Sequence, residues 1–123
     1  MSGTPITWFE IGSDRPAEVE GFYADLFGWT FEEQGPPGAS YRQTVAGGER
    51  GIGGAIRATE GDAANYAIFH AEVTDVAETC RRAEAAGGKV LVPARTTPRG
   101  LTLAQLLDPA GNRVGVFTPP TPA

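Results

Sequence analysis

Apolar and polar positions along the chain follow two periods, and the order of those periods occurs twice. Ile6 to Ile11 reads as a strand, with Pro5 ahead of it and the turn residues Gly12, Ser13 and Asp14 behind. A helix is predicted from about Pro16, with Asp14 in its start signal. Val19, Phe22, Tyr23, Leu26 and Phe27 fall at i, i+3, i+4, i+7 and i+8 and share one face, and Gly28 takes the left-handed C-terminal conformation at little cost. Three strands then follow, Trp29 to Glu33, Tyr41 to Val45 and Gly51 to Arg57. The Gly35-Pro36-Pro37-Gly38 loop and a hairpin over Ala46 to Arg50 separate them.

The second half repeats the order. Tyr66 to Val73 is a strand, and Asp75 to Ala86 a helix with Val76, Cys80 and Ala83 as its apolar stripe and Gly87-Gly88 as its stop. Lys89 to Val92 is the next strand, and Pro93 to Gly100 a loop. Leu101 to Leu107 and Arg113 to Thr118 form a hairpin around Asp108-Pro109-Ala110-Gly111-Asn112. Asp14 and Asp75 stand 61 residues apart and Gly28 and Gly88 60 apart, so the register of the halves is nearly equal. The expected architecture is α+β, two tandem βαβββ modules over about 5–58 and 65–118. A linker of small and charged residues at about 58–64 joins them within one domain spanning 1–123, and the Pro-rich end after Thr118 is expected to fray.

Composition narrows the function classes. With 123 residues and 41% hydrophobic content the chain can bury a core. No apolar run approaches the roughly 18 residues of a membrane span, and Met-Ser-Gly-Thr-Pro lacks a signal-peptide pattern, so the expected location is cytoplasmic with no membrane partner. Cys80 is the only cysteine, which excludes an intramolecular disulfide and a zinc ribbon. The net charge of −5 and the scattered basic residues argue against nucleic acid, since Arg81-Arg82 reads as a solvated helix face. Glycines 47, 48, 51, 53 and 54 lie in a hairpin with no Lys-Ser/Thr after them, so they make no P-loop, and there is no GxSxG elbow for a hydrolase.

Ile6-Thr7-Trp8-Phe9-Glu10-Ile11, Phe22-Tyr23-Ala24-Asp25-Leu26-Phe27-Gly28-Trp29 and the Asp108 to Asn112 turn together resemble the vicinal oxygen chelate superfamily of glyoxalases, bleomycin-resistance proteins and extradiol dioxygenases. The likeness runs from about Pro5 to Thr118. It implies two βαβββ modules whose curved mixed sheet surrounds a cavity, often completed by a second copy in a homodimer. Metal-bearing members take two His and one or two Glu from the first and last strands of the modules. Those positions fall on or near Trp8, Gly54, Ile68 and Gly115 here, none of which ligates through its side chain, and His70 is the only imidazole. No metal and no cofactor are therefore expected.

Strand alternation then selects the residues that share a face with these positions. Trp8 goes with Glu10, Ile68 with His70 and Glu72, and Arg113 and Phe117 with Gly115, while Phe9 and Ile11 turn toward the helix. The candidate ligand-binding set is Trp8, Glu10, Gly54, Ile68, His70, Arg113, Gly115 and Phe117. Three readings of function follow. In the first the chain is a metal-independent binder of a small, partly aromatic molecule, in the manner of drug or metabolite sequestration, and the acidic composition favours neutral or cationic ligands. In the second it is a lyase, isomerase or dioxygenase-like enzyme in which Glu10 and His70 act as general acid and base, or a displaced metal site does. A third has the cavity filled by side chains and the chain acting through a protein partner. His70 and Trp8 also read as packed residues, Glu10 as the partner of Arg113 in a rim salt bridge, Trp29 as core, and Cys80 as an inert buried thiol.

Overall fold

The computed structural model describes residues 3–33, 41–45, 48–59, 61, 64–98 and 100–120. The Gly35 to Gly38 loop, the Ala46-Gly47 tip, residues 60, 62 and 63 of the linker and the tail 121–123 lie outside the described residues. The elements in order are β1 (Ile6–Ser13), α1 (Pro16–Phe27), β2 (Glu32–Glu33), β3 (Tyr41–Val45), β4 (Gly53–Ala58), β5 (Tyr66–Glu72), α2 (Val76–Ala85), β6 (Lys89–Thr96), β7 (Thr102–Leu107) and β8 (Arg113–Thr118). This is βαβββ written twice, an α+β chain with both parallel and antiparallel strand pairs. Among the described residues no helix is long and apolar enough to cross a membrane. Two compact units are formed, one from Trp8 to Ile68 and the other from Phe69 onward together with the first seven residues.

In the unit Trp8–Ile68 the strand order is β2-β3-β4-β1. β1 and β4 are parallel, with Trp8 opposite Gly53, Glu10 opposite Ala55 and Gly12 opposite Arg57; β3 and β4 are antiparallel, with Tyr41 opposite Arg57. β2 shrinks to two residues where a strand from Trp29 is predicted. The Trp29 ring packs on Phe9, Tyr23 and Phe27 with centroids 5.2 to 5.5 Å apart, which takes it out of the ladder. Gly48–Arg50 form a 3-10 turn.

Helix α1 starts with Pro16, whose missing N–H costs nothing there, and ends at Gly28 with φ 73°, where the glycine N–H bonds Ala24 O at 3.0 Å. Its cap differs from expectation. Arg15 holds the cap position without a side-chain bond, and the Asp14 N–H instead donates to Asn65 Oδ1 at 3.1 Å. Asp14 therefore stands one residue ahead of the cap. The predicted apolar stripe is also only half seated: Val19 and Tyr23 are half-buried, while Phe22, Leu26 and Phe27 are 58%, 57% and 54% exposed.

In the other unit the order is β5-β8-β7-β6. Val76 and Cys80 of α2 meet Ala104, Leu106 and Val116, flanked by Ala71, Val73, Ala83, Val90 and Val114. Burying a Leu or Val of this kind stabilises by about 1.5 to 3 kcal/mol. Asp75 caps the helix, its carboxylate accepting from Glu78 N at 3.0 Å. β6 continues to Thr96 although a loop is predicted from Pro93. It is the edge strand, and its register shifts between Val90 and Val92 and again between Val92 and Arg95, so a proline without an N–H is tolerated. The predicted Asp108 turn closes β7 onto β8, with the Asp108 carboxylate accepting from Ala110 N, Asn112 N and Asn112 Nδ2, each at 2.9 Å.

Candidate ligand-binding site

The register of the unit Trp8–Ile68 decides which side chains stand on the sheet face away from α1. Trp8, Glu10 and Gly12 alternate onto that face from β1, and their partners bring Gly53, Ala55 and Arg57 from β4 and Tyr41 and Gln43 from β3. The glycines confirm the sides. A Cβ on Gly53 would lie 2.7 Å from the Trp8 ring and one on Gly12 2.2 Å from the Tyr66 ring, whereas a Cβ on Gly54 would lie 2.3 Å from Phe9. Gly54 thus belongs to the α1 side, and Gly53 occupies the place beside Trp8 that the sequence reading gives to Gly54. The parallel pairing of Trp8 with Gly53 is the physical reason for this one-residue shift.

A hydrogen-bonded set is built on this face. Trp8 Nε1 donates to the Tyr41 hydroxyl at 3.2 Å. Arg57 Nε donates to the Tyr66 hydroxyl at 3.0 Å, and that hydroxyl donates to Glu10 Oε2 at 2.5 Å. The same Arg57 nitrogen stands 3.9 Å from the Glu10 oxygen. Glu10 is only 6% exposed, and a carboxylate so placed is tolerable because a cation and a phenol accompany it. Burial, and after it the Glu10 charge, pushes the Tyr41 phenol far above its usual range, so near neutral pH it stays a protonated hydroxyl. The result is a rigid aromatic frame, Trp8 and Tyr41, beside a buried charge pair. Tyr41, Arg57 and Tyr66 are absent from the sequence-level candidates. Tyr66 shares strand parity with Ile68 and was open to discovery by that rule; Arg57 and Tyr41 needed the β1–β4 and β3–β4 registers.

A largely apolar hollow of about 520 Å³ in the same unit is bordered by Phe9, Ile11, Tyr23, Trp29 and Ile52, with Glu10 and Ile68 at its lining. Ile68 itself is buried. Trp29, expected in the core, is half-buried in the aromatic stack that forms one wall.

The unit beginning at Phe69 brings His70, Arg113, Gly115 and Phe117 onto one face, away from α2. His70 is 4% exposed; its ring occupies the space a side chain on Gly115 would need, with contacts from 2.3 Å, and meets Phe117 edge-on at 6.2 Å between centroids. Gln105, directly opposite Gly115, accepts from Arg113 Nη1 at 3.1 Å. Cys80 points the other way into the helix core, where burial raises its thiol pKa and suppresses the thiolate.

Among the described residues no three His, Cys, Asp or Glu side chains gather to hold an ion, and the positions the resemblance assigns to ligands carry Trp8, Ile68 and glycines. The residues present do not fit a mononuclear centre.

Paired βαβββ modules with chemistry on the sheet faces define a class, and the sequence match is specific to it. Residues 6–116 match the model of the Glyoxalase/Bleomycin resistance protein/Dioxygenase superfamily, and the chain belongs to that superfamily. Solved structures agree on the fold. Methylmalonyl-CoA epimerase from Mycobacterium tuberculosis superposes with TM-score 0.66 at 13% identity, covering 99% of this chain and 93% of that one. A structure described as NAD-dependent benzaldehyde dehydrogenase from Legionella pneumophila gives 0.65 at 20% identity, covering 90% and 96%. A superfamily member from Vibrio splendidus 12B01 gives 0.64 at 12% identity, covering 95% and 100%. No curated protein matches the sequence.

Proposed function

We propose that this chain is a small-molecule-binding member of the superfamily that works without a resident metal, holding its ligand against Trp8 and Tyr41 beside the Glu10 charge pair. The observation that carries this reading is the Trp8–Tyr41 bond above a side-chain-free Gly53. Two aromatic side chains are fixed before a ligand arrives, which lowers the ordering cost of stacking a planar group. Glu10 contributes position rather than proton transfer, because Tyr66 and Arg57 already engage its carboxylate. Sequestration follows more directly from such a frame than turnover does. Homodimer assembly belongs to the same proposal, supported by the uncovered Phe22, Leu26 and Phe27 of α1.

A panel of planar aromatic compounds titrated by tryptophan fluorescence tests the reading. Trp8→Ala is expected to weaken binding roughly tenfold, as loss of an aromatic anchor does, with the fold intact by circular dichroism. Turnover of a bound compound that disappears in Glu10→Gln or His70→Ala would replace binding with catalysis, and unchanged affinity in Trp8→Ala would remove the aromatic frame from the site.

A further inference from the structure

The hollow in the unit Trp8–Ile68 stands apart from the Trp8–Tyr41 frame, since neither of those rings is at its lining. Its volume of about 520 Å³ is that of a small-molecule pocket, within the usual span of roughly 300 to 1,000 Å³. Rings make up much of the wall. Trp29 stacks on Tyr23 with centroids 5.4 Å apart and packs on Phe9 at 5.5 Å, and Phe9 lies against Gly54, where an added Cβ would meet it at 2.3 Å. These contacts hold the three rings in place before a ligand arrives, which lowers the ordering cost of binding. Ile11, Ile52 and Ile68 add aliphatic surface.

Among the described lining residues Glu10 is the one carboxylate, and no Lys, Arg or His joins it. Its charge is engaged: the Tyr66 hydroxyl donates to Oε2, and Arg57 Nε stands 3.9 Å from the same oxygen. An anion entering here meets a like charge with no cation at the lining, and a cation has to compete with Arg57. Water fares poorly too, because a mostly hydrocarbon surface offers few of the roughly two to four polar partners that hold a water in place. An apolar group that displaces loosely held water gains affinity. Helix α1, which carries Tyr23, has no buried residue and is tied to β3 by the Arg42–Glu20 ion pair, so a small displacement of it on ligand entry breaks no packed core.

We propose that this hollow is a second binding site, for a neutral and largely hydrocarbon small molecule about two aromatic rings in size. Trp29 and Tyr23 supply the stacking surface, Phe9 and the isoleucines the aliphatic and edge contacts, and Glu10 selects against anions. Binding here requires nothing of Trp8 or Tyr41, so the two sites are separable by substitution.

N-phenyl-1-naphthylamine, a neutral, non-planar fluorophore that brightens in apolar surroundings, and 8-anilino-1-naphthalenesulfonate, the same skeleton bearing a sulfonate, provide the test. Fluorescence titration is expected to show the neutral probe binding roughly 10-fold or more tightly than the anion, the scale of bringing a charge beside a buried carboxylate. In the parent protein the bound neutral probe should give nuclear Overhauser contacts to the Ile52 and Ile68 methyls. Ile52→Asp, at a position 37% exposed, and Ala67→Phe, which fills the hollow, should each weaken that probe roughly 10-fold or more with circular dichroism unchanged. Trp8→Ala should change its affinity by less than about twofold. Loss of the probe in Trp8→Ala with both hollow variants unaffected would overturn this inference and leave the Trp8–Tyr41 reading standing. So would equal binding of the two probes, no fluorescence rise up to the solubility limit of the neutral one, or no Overhauser contact to either isoleucine. Binding that weakens as protein concentration rises, with Ile52→Asp shifting the protein to monomer in sedimentation, would mean that a second copy occupies the hollow and would also overturn it.

Discussion

Helices α1 and α2 hold the same place in their βαβββ orders, but they meet their sheets differently. α2 lies over small side chains, Ala71 and Ala104 with Ala83 of its own, and this close approach buries Val76 and Cys80. α1 faces Phe9; the Trp29 ring packs on Phe9, and the rings of Tyr23, Phe27 and Trp29 pack on one another, with centroids 5.2 to 5.9 Å apart. Bulk keeps the helix off the sheet and leaves the apolar hollow of about 520 Å³. An ion pair from Arg42 on β3 to Glu20 supplies part of what the core does not. One topology thus yields a unit whose helix is locked by packing and a unit whose helix is tethered, and the tethered unit carries the Trp8–Tyr41 frame.

The largest expected effect sets the two helices directly against each other. Leu106→Ala, beneath α2, should cost about 2 to 5 kcal/mol by urea denaturation, while Leu26→Ala on the exposed side of α1 should cost less than about 1 kcal/mol. Equal losses would break the comparison and mean that a second copy covers α1 in solution. Next in size are the two glycines under rings. Gly115→Ala drives a methyl to 2.3 Å from His70, and Gly54→Ala drives one to 2.3 Å from Phe9. Each should lower stability by about 1 to 3 kcal/mol, the usual cost of overpacking. The thermal midpoint reads both. A Gly54→Ala protein as stable as the parent would show that the loosely seated α1 yields where α2 does not.

What the sequence made legible follows from the range of the interactions involved. The two helices, the Asp108 turn and the doubled order are local signals, and they appear at nearly the predicted positions. The shared parity of Trp8 with Glu10, and of Arg113 with Gly115 and Phe117, is likewise local. Gly54 was placed with Trp8 because a one-residue shift in a parallel pair reverses the face, and that register is set 45 residues away in the chain. Arg57 and Tyr41 were missed for the same reason. The helical period of Val19 to Phe27 marks a common side but says nothing of what lies under it, so the exposed aromatics of α1 were invisible. Pro93 misled because its effect on a strand depends on whether the strand is at an edge, a property of the whole sheet.

A smaller effect sharpens the contrast between the helix starts. Asp75 accepts from Glu78 N, so Asp75→Ala should cost about 1 kcal/mol, within the usual span of 0.5 to 2 for a lost cap. Asp14 makes no cap bond to α1, and Asp14→Ala should fall within about 0.5 kcal/mol of the parent. Denaturation of the two variants at one pH gives the difference, and equal costs would mean that Asp14 assists α1 by a route other than capping.

The smallest effect tests the hairpin that closes the better-packed unit. Asn112, through its side chain first and its backbone next, holds the Asp108 carboxyl below the usual carboxylate range. A folded-state value below the unfolded one means that the stabilising contribution is present above the ordinary Asp value of about 3.9 and is lost as pH falls through the lower folded value. Asp108→Asn keeps the shape and removes the charge at every pH. The parent should therefore melt above this variant at pH 6, and the two midpoints should converge as the pH falls from about 4 through the lower folded value, below which the parent's carboxyl is also neutral. Because the turn is solvent-exposed, salt should narrow the gap at pH 6 as well. A gap that stays constant from pH 6 to pH 2 would show that the turn depends on the geometry of its hydrogen bonds and not on the Asp108 charge, and would make the turn, like the packing beneath α2, a pH-independent contribution to that unit.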